Sequence, residues 1–214
     1  MHELLSGIGG LGVVPVVAIE SAEDAMPLAQ SLIQGGLPCV EVTFRTAAAV
    51  PAMQLIAKRG DILLGAGTVL SIDQVKAALD AGARFMVSPG FNRRVAAYCV
   101  QNDIPFAPGV CTPSDIEGAL ELGLEVLKYF PAEAFGGLKT LKALSGPYPA
   151  VKFIPTGGIN AQNLLDYLKF SRVLACGGTW LAPSALIAQG RFDIITRNIM
   201  EARRIVTAFR EALD

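Results

Sequence analysis

One pattern repeats eight times along the chain and constrains its fold more than anything else. A short apolar run, usually stopped by Gly, Pro or Thr, is followed by a stretch with helical periodicity. The apolar runs are Gly12–Ala18, Cys39–Phe44, Ile62–Gly67, Phe85–Gly90, Phe106–Val110, Val126–Ala132, Lys152–Gly158 and Val173–Trp180. Helical periodicity covers Ala22–Gln34, Val50–Lys58, Asp73–Ala81, Arg93–Asn102, Ser114–Leu122, Leu138–Leu144, Ala161–Lys169 and Phe192–Leu213. Strands separated by helices must run parallel, with right-handed crossovers. Eight such units predict an α/β fold of the (β/α)8 barrel type. At 214 residues the chain is compact beside the roughly 250 typical of such barrels. One domain over 1–214 therefore accounts for all of it. The residues before Gly12 predict a short helix covering one barrel end.

Helix signals agree with this division. Ser21, Ser71, Thr112 and Asn160 stand where N-caps belong. Gly35-Gly36, Gly60, Gly82 and Gly123 stand where helices stop. The competing architecture is a doubly wound open sheet. It usually carries G-x-G-x-x-G after the first strand, whereas the first run here leads into Ala18-Ile19-Glu20-Ser21.

Composition removes several chemistries. Eighteen Lys and Arg against nineteen Asp and Glu give a net charge of −1, without the basic excess of a nucleic-acid binder. The single histidine is His2, which argues against Ser-His-Asp catalysis and histidine-ligated metals. Cys39, Cys99, Cys111 and Cys176 form no C-x-x-C pair and read as reduced core thiols of a cytoplasmic protein. The apolar stretch Ile8–Ile19 lacks a basic leader and contains Pro15, so it does not read as a signal peptide. The uncharged run between Arg172 and Arg191 contains Gly177-Gly178, Pro183 and Gln189, and reads as strand, loop and helix start. No membrane association is expected.

Two charges fall where charges should not. Strands of a parallel barrel are buried on both faces and should be continuously apolar. Glu41 interrupts the second run and Lys128 the sixth. Alternate strands of a barrel contribute side chains to the same interior layer, so these two can meet inside. Burial disfavours the charged form of an amine, and a neutral lysine amine is a nucleophile that forms Schiff bases with ketones. A neighbouring carboxylate can move the protons. These are the parts of a metal-free lysine aldolase. The plain alternative is a buried ion pair without chemistry, which would give little net stability.

The strand ends supply further candidates. Arg45 and Thr46 close the second run, where an Arg can hold a carboxylate by two parallel hydrogen bonds; a surface ion pair is the alternative. Gly65-Ala66-Gly67-Thr68 closes the third run, with glycines that let a ligand approach and a Thr68 hydroxyl. Ser88-Pro89-Gly90 and Ala107-Pro108-Gly109 read as turns. Pro155-Thr156-Gly157-Gly158-Ile159 and Cys176-Gly177-Gly178-Thr179-Trp180 close runs seven and eight, where barrels frequently bind phosphate; plain tight turns are the alternative. Lys152 reads as a rim residue and Trp180 as packing. Arg93-Arg94 and Arg203-Arg204 read as solvated helix faces.

Taken in order, these motifs resemble the aldolases of 2-keto-3-deoxy-6-phosphogluconate (KDPG) and 4-hydroxy-2-oxoglutarate (KHG). The resemblance runs from Val14-Pro15-Val16 to Trp180. It is carried by Glu41-Val42-Thr43-Phe44-Arg45-Thr46, Gly65-Ala66-Gly67-Thr68-Val69, Lys128-Tyr129-Phe130-Pro131-Ala132-Glu133, Pro155-Thr156-Gly157-Gly158-Ile159 and Gly178-Thr179-Trp180-Leu181. It implies a metal-free, cofactor-free class I aldolase in a homotrimer of (β/α)8 barrels, releasing pyruvate and glyceraldehyde 3-phosphate from KDPG in the Entner–Doudoroff pathway. It implies Lys128 as the Schiff-base lysine and Glu41 as the general acid/base. Arg45 and Thr68 would hold the pyruvate carboxylate, with Pro89 nearby. Phe130 and Thr156 would line the cavity, and Gly157, Gly158, Gly178 and Thr179 would bind phosphate.

Departures from the family pattern are mild. Phe44 stands where many members have Leu, Thr179 where many have Ser, and Tyr129 where Phe is common. Tyr129 is expected to point outward. Phosphogalactonate-cleaving relatives usually have Asn-Ser where this chain has Arg45-Thr46, which favours a gluconate-type substrate. The competing functions are a phosphosugar isomerase, which would need no buried lysine on the sixth strand, and a catalytically silent binding barrel.

Overall fold

The apolar runs form parallel strands because each buries both of its faces. A computed structural model describes residues 3–212, so His2 and the end of the last predicted helix lie outside the described residues. The strands are β1 Val13–Val17, β2 Cys39–Thr43, β3 Leu63–Gly67, β4 Phe85–Val87, β5 Phe106–Ala107, β6 Gly109–Val110, β7 Val126–Tyr129, β8 Lys152–Phe153 and β9 Cys176–Gly178. Helix α1 is Glu3–Gly9. The connections hold α2 Ala25–Gln34, α3 Ala49–Arg59, α4 Ile72–Asp80, α5 Arg93–Gln101, α6 Pro113–Leu120, α7 Gly137–Ser145 and α8 Leu164–Leu168. After the last strand come α9 Ser184–Ala188 and α10 Phe192–Glu211.

Among the described residues, nine strand segments occupy eight barrel positions. Pro108 has no N–H to give to a ladder, and it divides the fifth strand into β5 and β6. Its carbonyl still accepts from Lys128 N at 2.8 Å. β5 pairs with β4 and β6 with β7. The seventh strand is regular over two residues only, yet its ladder bonds continue: Ile154 N donates to Leu127 O at 2.8 Å and Thr156 N to Tyr129 O at 2.9 Å. Closure comes from Leu174 N to Phe153 O, Gly177 N to Pro155 O, and the parallel pairing of β9 with β1. The ring excludes the open-sheet alternative.

The period-2 alternation sorts side chains into two layers. Val40, Val42, Leu127 and Tyr129 face outward into the core beneath the helices. Tyr129 points outward as expected, and its hydroxyl donates to Phe135 O at 2.9 Å. Val14, Cys39, Phe85, Val126 and Ile154 face inward and fill one end of the barrel. Leu5 and Ile8 of α1 close that end. A seven-residue helix is too short to persist alone in water. Burying each such side chain contributes about 1.5–3 kcal/mol, so α1 stands on this packing. Arg203 donates to Leu11 O at 2.7 Å, and Arg210 donates to the Gly9 and Gly10 carbonyls. Arg203 is thus a clamp on the end of α1 rather than a solvated side chain, while Arg204 is exposed.

The expected caps are present, with two adjustments. Ser71 accepts from Gln74 N at 3.2 Å at the start of α4. Ser21 caps a short 3-10 turn, Ala22–Asp24, ahead of α2. Asn160 accepts from Gln162 N and Asn163 N and so caps a turn, and α8 starts later than the sequence suggests. Asn92 caps α5 through Arg94 N and Val95 N, a cap the sequence reading did not single out. Gly60 ends α3 at φ 75°, the left-handed conformation glycine adopts freely.

Thr112 and Asp115 form a reciprocal capping box on α6. Thr112→Ala is expected to lower unfolding free energy by about 1 kcal/mol, read as a urea midpoint shift. An unchanged midpoint would mean that water replaces the hydroxyl without loss. Burial pushes the Asp115 carboxyl up, but hydrogen bonds from Cys111 and Thr112 outweigh it and hold it below the ordinary range. Its stabilising contribution is therefore present above the ordinary carboxyl pKa and fades as pH falls through the lowered one.

Candidate active site

Both anomalous charges point into the barrel. Glu41 occupies an inward position of β2 between Cys39 and Thr43, in register with Val16 on one side and Gly65 on the other. Lys128 occupies an inward position of β7, in register with Gly109. Though 87 residues apart in sequence, they meet: Lys128 Nζ lies 3.3 Å from Glu41 Oε1 and 3.4 Å from Oε2. Both are almost wholly buried, at 6% and 4% exposure. Lys128 Nζ also lies 5.5 Å from the centre of the Phe130 ring.

Above the pair opens a cavity of about 340 Å³ at the C-terminal ends of the strands. Glu41, Arg45, Thr68, Pro89, Lys128, Phe130, Thr156, Gly157, Gly158, Gly178 and Thr179 all line it. Thr46, the other candidate at the end of the second run, lies outside the cavity lining and donates its hydroxyl to Ile19 O at 2.5 Å. Val16, Ile159 and Gly177 line the cavity as well. The last two lie inside motifs already noted, and Val16 is betrayed only by its place near the end of the first strand.

Each lining residue has a local reason for its position. Arg45 Nε donates to Thr43 Oγ1 at 3.1 Å, and Thr43 Oγ1 donates to Val17 O at 2.8 Å, which ties the arginine to the end of β2. Ser88 Oγ donates to Gly90 O at 2.7 Å and anchors the turn carrying Pro89. Gly157 and Gly158 have φ of 98° and 81°, a region L side chains rarely adopt. Their loop is held from below by Glu133, whose N–H donates to Gly157 O at 3.0 Å. The Glu133 carboxylate in turn accepts from the Tyr167 hydroxyl. Burial, and then the Glu133 carboxylate, push the Tyr167 phenol up, so it stays a donor at neutral pH.

The β3 glycines are not open to a ligand as expected. A Cβ on Gly65 would meet the Phe85 ring at 2.1 Å, and one on Gly67 would meet Glu41 Oε1 at 1.9 Å. Gly178 is similarly covered by the Trp180 ring. Lys152 sits at the rim, donating to Ser171 O at 2.8 Å.

Cys39, Cys99 and Cys176 are buried, whereas Cys111, expected in the core, is half-buried. All four cysteines are unpaired. Burial, and then the charge of Glu41, push the Cys39 thiol up to about 12, and burial pushes Cys99 to about 12. Among the described residues no group of three His, Cys, Asp or Glu could share a metal ion. Nor is any helix among them long and apolar enough to cross a membrane.

Comparison with known proteins agrees with this geometry. The family described as KDPG and KHG aldolase matches residues 7–198. The 2-dehydro-3-deoxy-phosphogluconate aldolase of Treponema pallidum is 50% identical over 207 residues, covering 96% of this chain and 99% of that protein. The KHG/KDPG aldolase of Escherichia coli K12 is 42% identical over 191 residues, covering 89% and 90%. The crystal structure of KDPG aldolase from Legionella pneumophila, with pyruvate captured at low pH as a covalent carbinolamine intermediate, superposes with a TM-score of 0.89. It shares 40% identity and covers 92% of this chain and 97% of that one. A barrel with one buried lysine–carboxylate pair at the floor of its cavity, matched over nearly its whole length, leaves one assignment: the chain belongs to the KDPG and KHG aldolase family.

Proposed function

We propose that this protein is a class I aldolase that cleaves KDPG to pyruvate and glyceraldehyde 3-phosphate, with activity on KHG as well. The observation that carries the reading is the Lys128 amine 3.3 Å from the Glu41 carboxylate at the closed end of a cavity. An ion pair this buried gives little net stability, so a purely structural role explains it poorly.

The steps follow from that geometry. Lys128 Nζ attacks the C2 ketone, forming a carbinolamine, and loss of water gives an iminium. Glu41 takes the proton of the C4 hydroxyl as the C3–C4 bond breaks. The electron pair of that bond moves into the iminium, giving an enamine, and the aldehyde leaves. Glu41 returns a proton to C3, and water releases pyruvate and regenerates the amine. Arg45 and Thr68 hold the carboxylate at one side of the cavity, with Pro89 against them. Phe130 and Thr156 flank the reacting carbons.

The phosphate end has a different character. Among the described residues, the only cations lining the cavity are Arg45 and Lys128. The loops carrying Gly157, Gly158, Gly178 and Thr179 therefore bind phosphate through backbone N–H groups and the Thr179 hydroxyl, as oriented N–H groups in glycine turns do. On this reading no metal or cofactor takes part, residues 1–214 form one barrel domain, and the cytoplasmic enzyme works as a homotrimer, a state that sedimentation would check.

Incubation with pyruvate and borohydride in excess chelator tests the proposal. The expected result is a reduced pyruvate adduct on Lys128, found by peptide mapping, and full cleavage activity in chelator. No adduct on any lysine would overturn the aldolase reading. Activity that is lost in chelator and restored by a divalent metal would overturn its metal-free form.

A further inference from the structure

Glycine inside a strand weakens it and needs a reason. β3 has two, Gly65 and Gly67, both facing inward, while Leu64 and Ala66 face the outer core. Neither has a backbone angle that excludes a side chain. Their use is smallness, not flexibility. At Gly65 the vacated space holds the Phe85 ring, ordinary apolar packing. At Gly67 it holds a carboxylate: an added Cβ would lie 1.9 Å from Glu41 Oε1, 2.6 Å from Cδ and 2.8 Å from Cγ.

The register explains how Glu41 gets there. Glu41 stands opposite Gly65, and Thr43 stands opposite Gly67. The Glu41 side chain therefore leans along the strand direction by two residues, across the neighbouring strand, before its oxygens reach Lys128. Strand side chains commonly lean this way. An ordinary contact with a Cβ begins near 3.4 Å, so a methyl group on residue 67 would force the carboxylate away by about 1.5 Å. Cδ and Cγ would have to shift as well, so the whole side chain would turn into the cavity it lines and leave its present place.

We propose that Gly67 is a positioning residue for the reaction: its missing side chain is the slot that holds the Glu41 carboxylate beside Lys128. This rests on the aldolase reading above. It acts through Glu41 alone, without touching substrate by a side chain of its own.

The test uses four proteins: the parent, Gly67→Ala, Glu41→Ala and the double variant. Gly67→Ala is expected to lower kcat for KDPG cleavage by about 100-fold, the usual consequence of an ångström-scale misplacement. KM should move by no more than a few-fold, and pyruvate with borohydride should still label Lys128. With Glu41 truncated the slot is empty, so adding Gly67→Ala should change kcat by less than about 3-fold, the signature of two residues acting as one. Likewise, Gly67→Ala should lower the melting temperature of the parent but not that of Glu41→Ala.

An unchanged kcat in Gly67→Ala would overturn the slot. So would the same loss of kcat in both backgrounds, since the effect would then bypass Glu41. If Gly67→Ala alone does not fold, the double variant should fold as well as Glu41→Ala, and a double variant that fails where Glu41→Ala folds would overturn the proposal. A parent that neither labels nor cleaves would indict the aldolase reading itself, whereas an active parent with an indifferent Gly67→Ala indicts only the slot.

Discussion

Lys128→Arg is expected to lose both the pyruvate adduct and KDPG cleavage, with kcat/KM falling by at least about 100,000-fold, or about 7 kcal/mol of barrier. An arginine keeps a cation opposite Glu41 but has no amine that deprotonates, so it cannot form the carbinolamine. This separates chemistry from stability. Lys128→Ala should be equally inactive, but it also strands a buried carboxylate, at a cost of about 3–5 kcal/mol. It should therefore melt at a lower temperature than Lys128→Arg. The comparison is made by steady-state cleavage, borohydride labelling and thermal melts on the three proteins. A Lys128→Arg variant that is folded and retains more than a hundredth of parental activity would place the nucleophile elsewhere.

Glu41→Gln should act differently. The amide keeps the size and the contacts over Gly67 but cannot take the C4 hydroxyl proton. General acid–base catalysis by one positioned group contributes about 100- to 10,000-fold. A fall in kcat within that range is expected, together with slower but detectable labelling of Lys128 by pyruvate and borohydride. The amine is still present, and water can carry protons poorly in place of the carboxylate. Equal cleavage rates in variant and parent would remove Glu41 from proton transfer and leave it as a partner of the lysine only. Together the two variants divide the reaction at the imine: one stops before it, the other after it.

How much of this was legible in the chain depended on the range of the interaction involved. The eightfold alternation led to the barrel because strand and helix periods are local properties, and a parallel sheet of eight units has one good way to close. The charges of Glu41 and Lys128 stood out because a doubly buried strand should contain none. The outward Tyr129 followed from period 2. What failed was local in cause at Pro108 and Asn160, but at Arg203 it was a contact 192 residues away along the chain. Pro108 divides the fifth strand, Asn160 caps a turn rather than a helix, and Arg203 is held by Leu11 O rather than by water.

The strand–helix order, the alternation of facing along the strands and the two misplaced charges, Glu41 and Lys128, belong to the sequence itself. They rest on periodicity and on the cost of burying charge, and both act on each segment separately. Only the tertiary structure decided how near the lysine and the carboxylate come, and what fills the space beside Gly67. The stagger between neighbouring strands sets which side chain lies over which, and that stagger is a property of the closed ring rather than of any one strand. The same letters Gly-Ala-Gly read as an open approach for a ligand along the chain; in the barrel the two spaces are taken, one by the Phe85 ring and one by the Glu41 carboxylate.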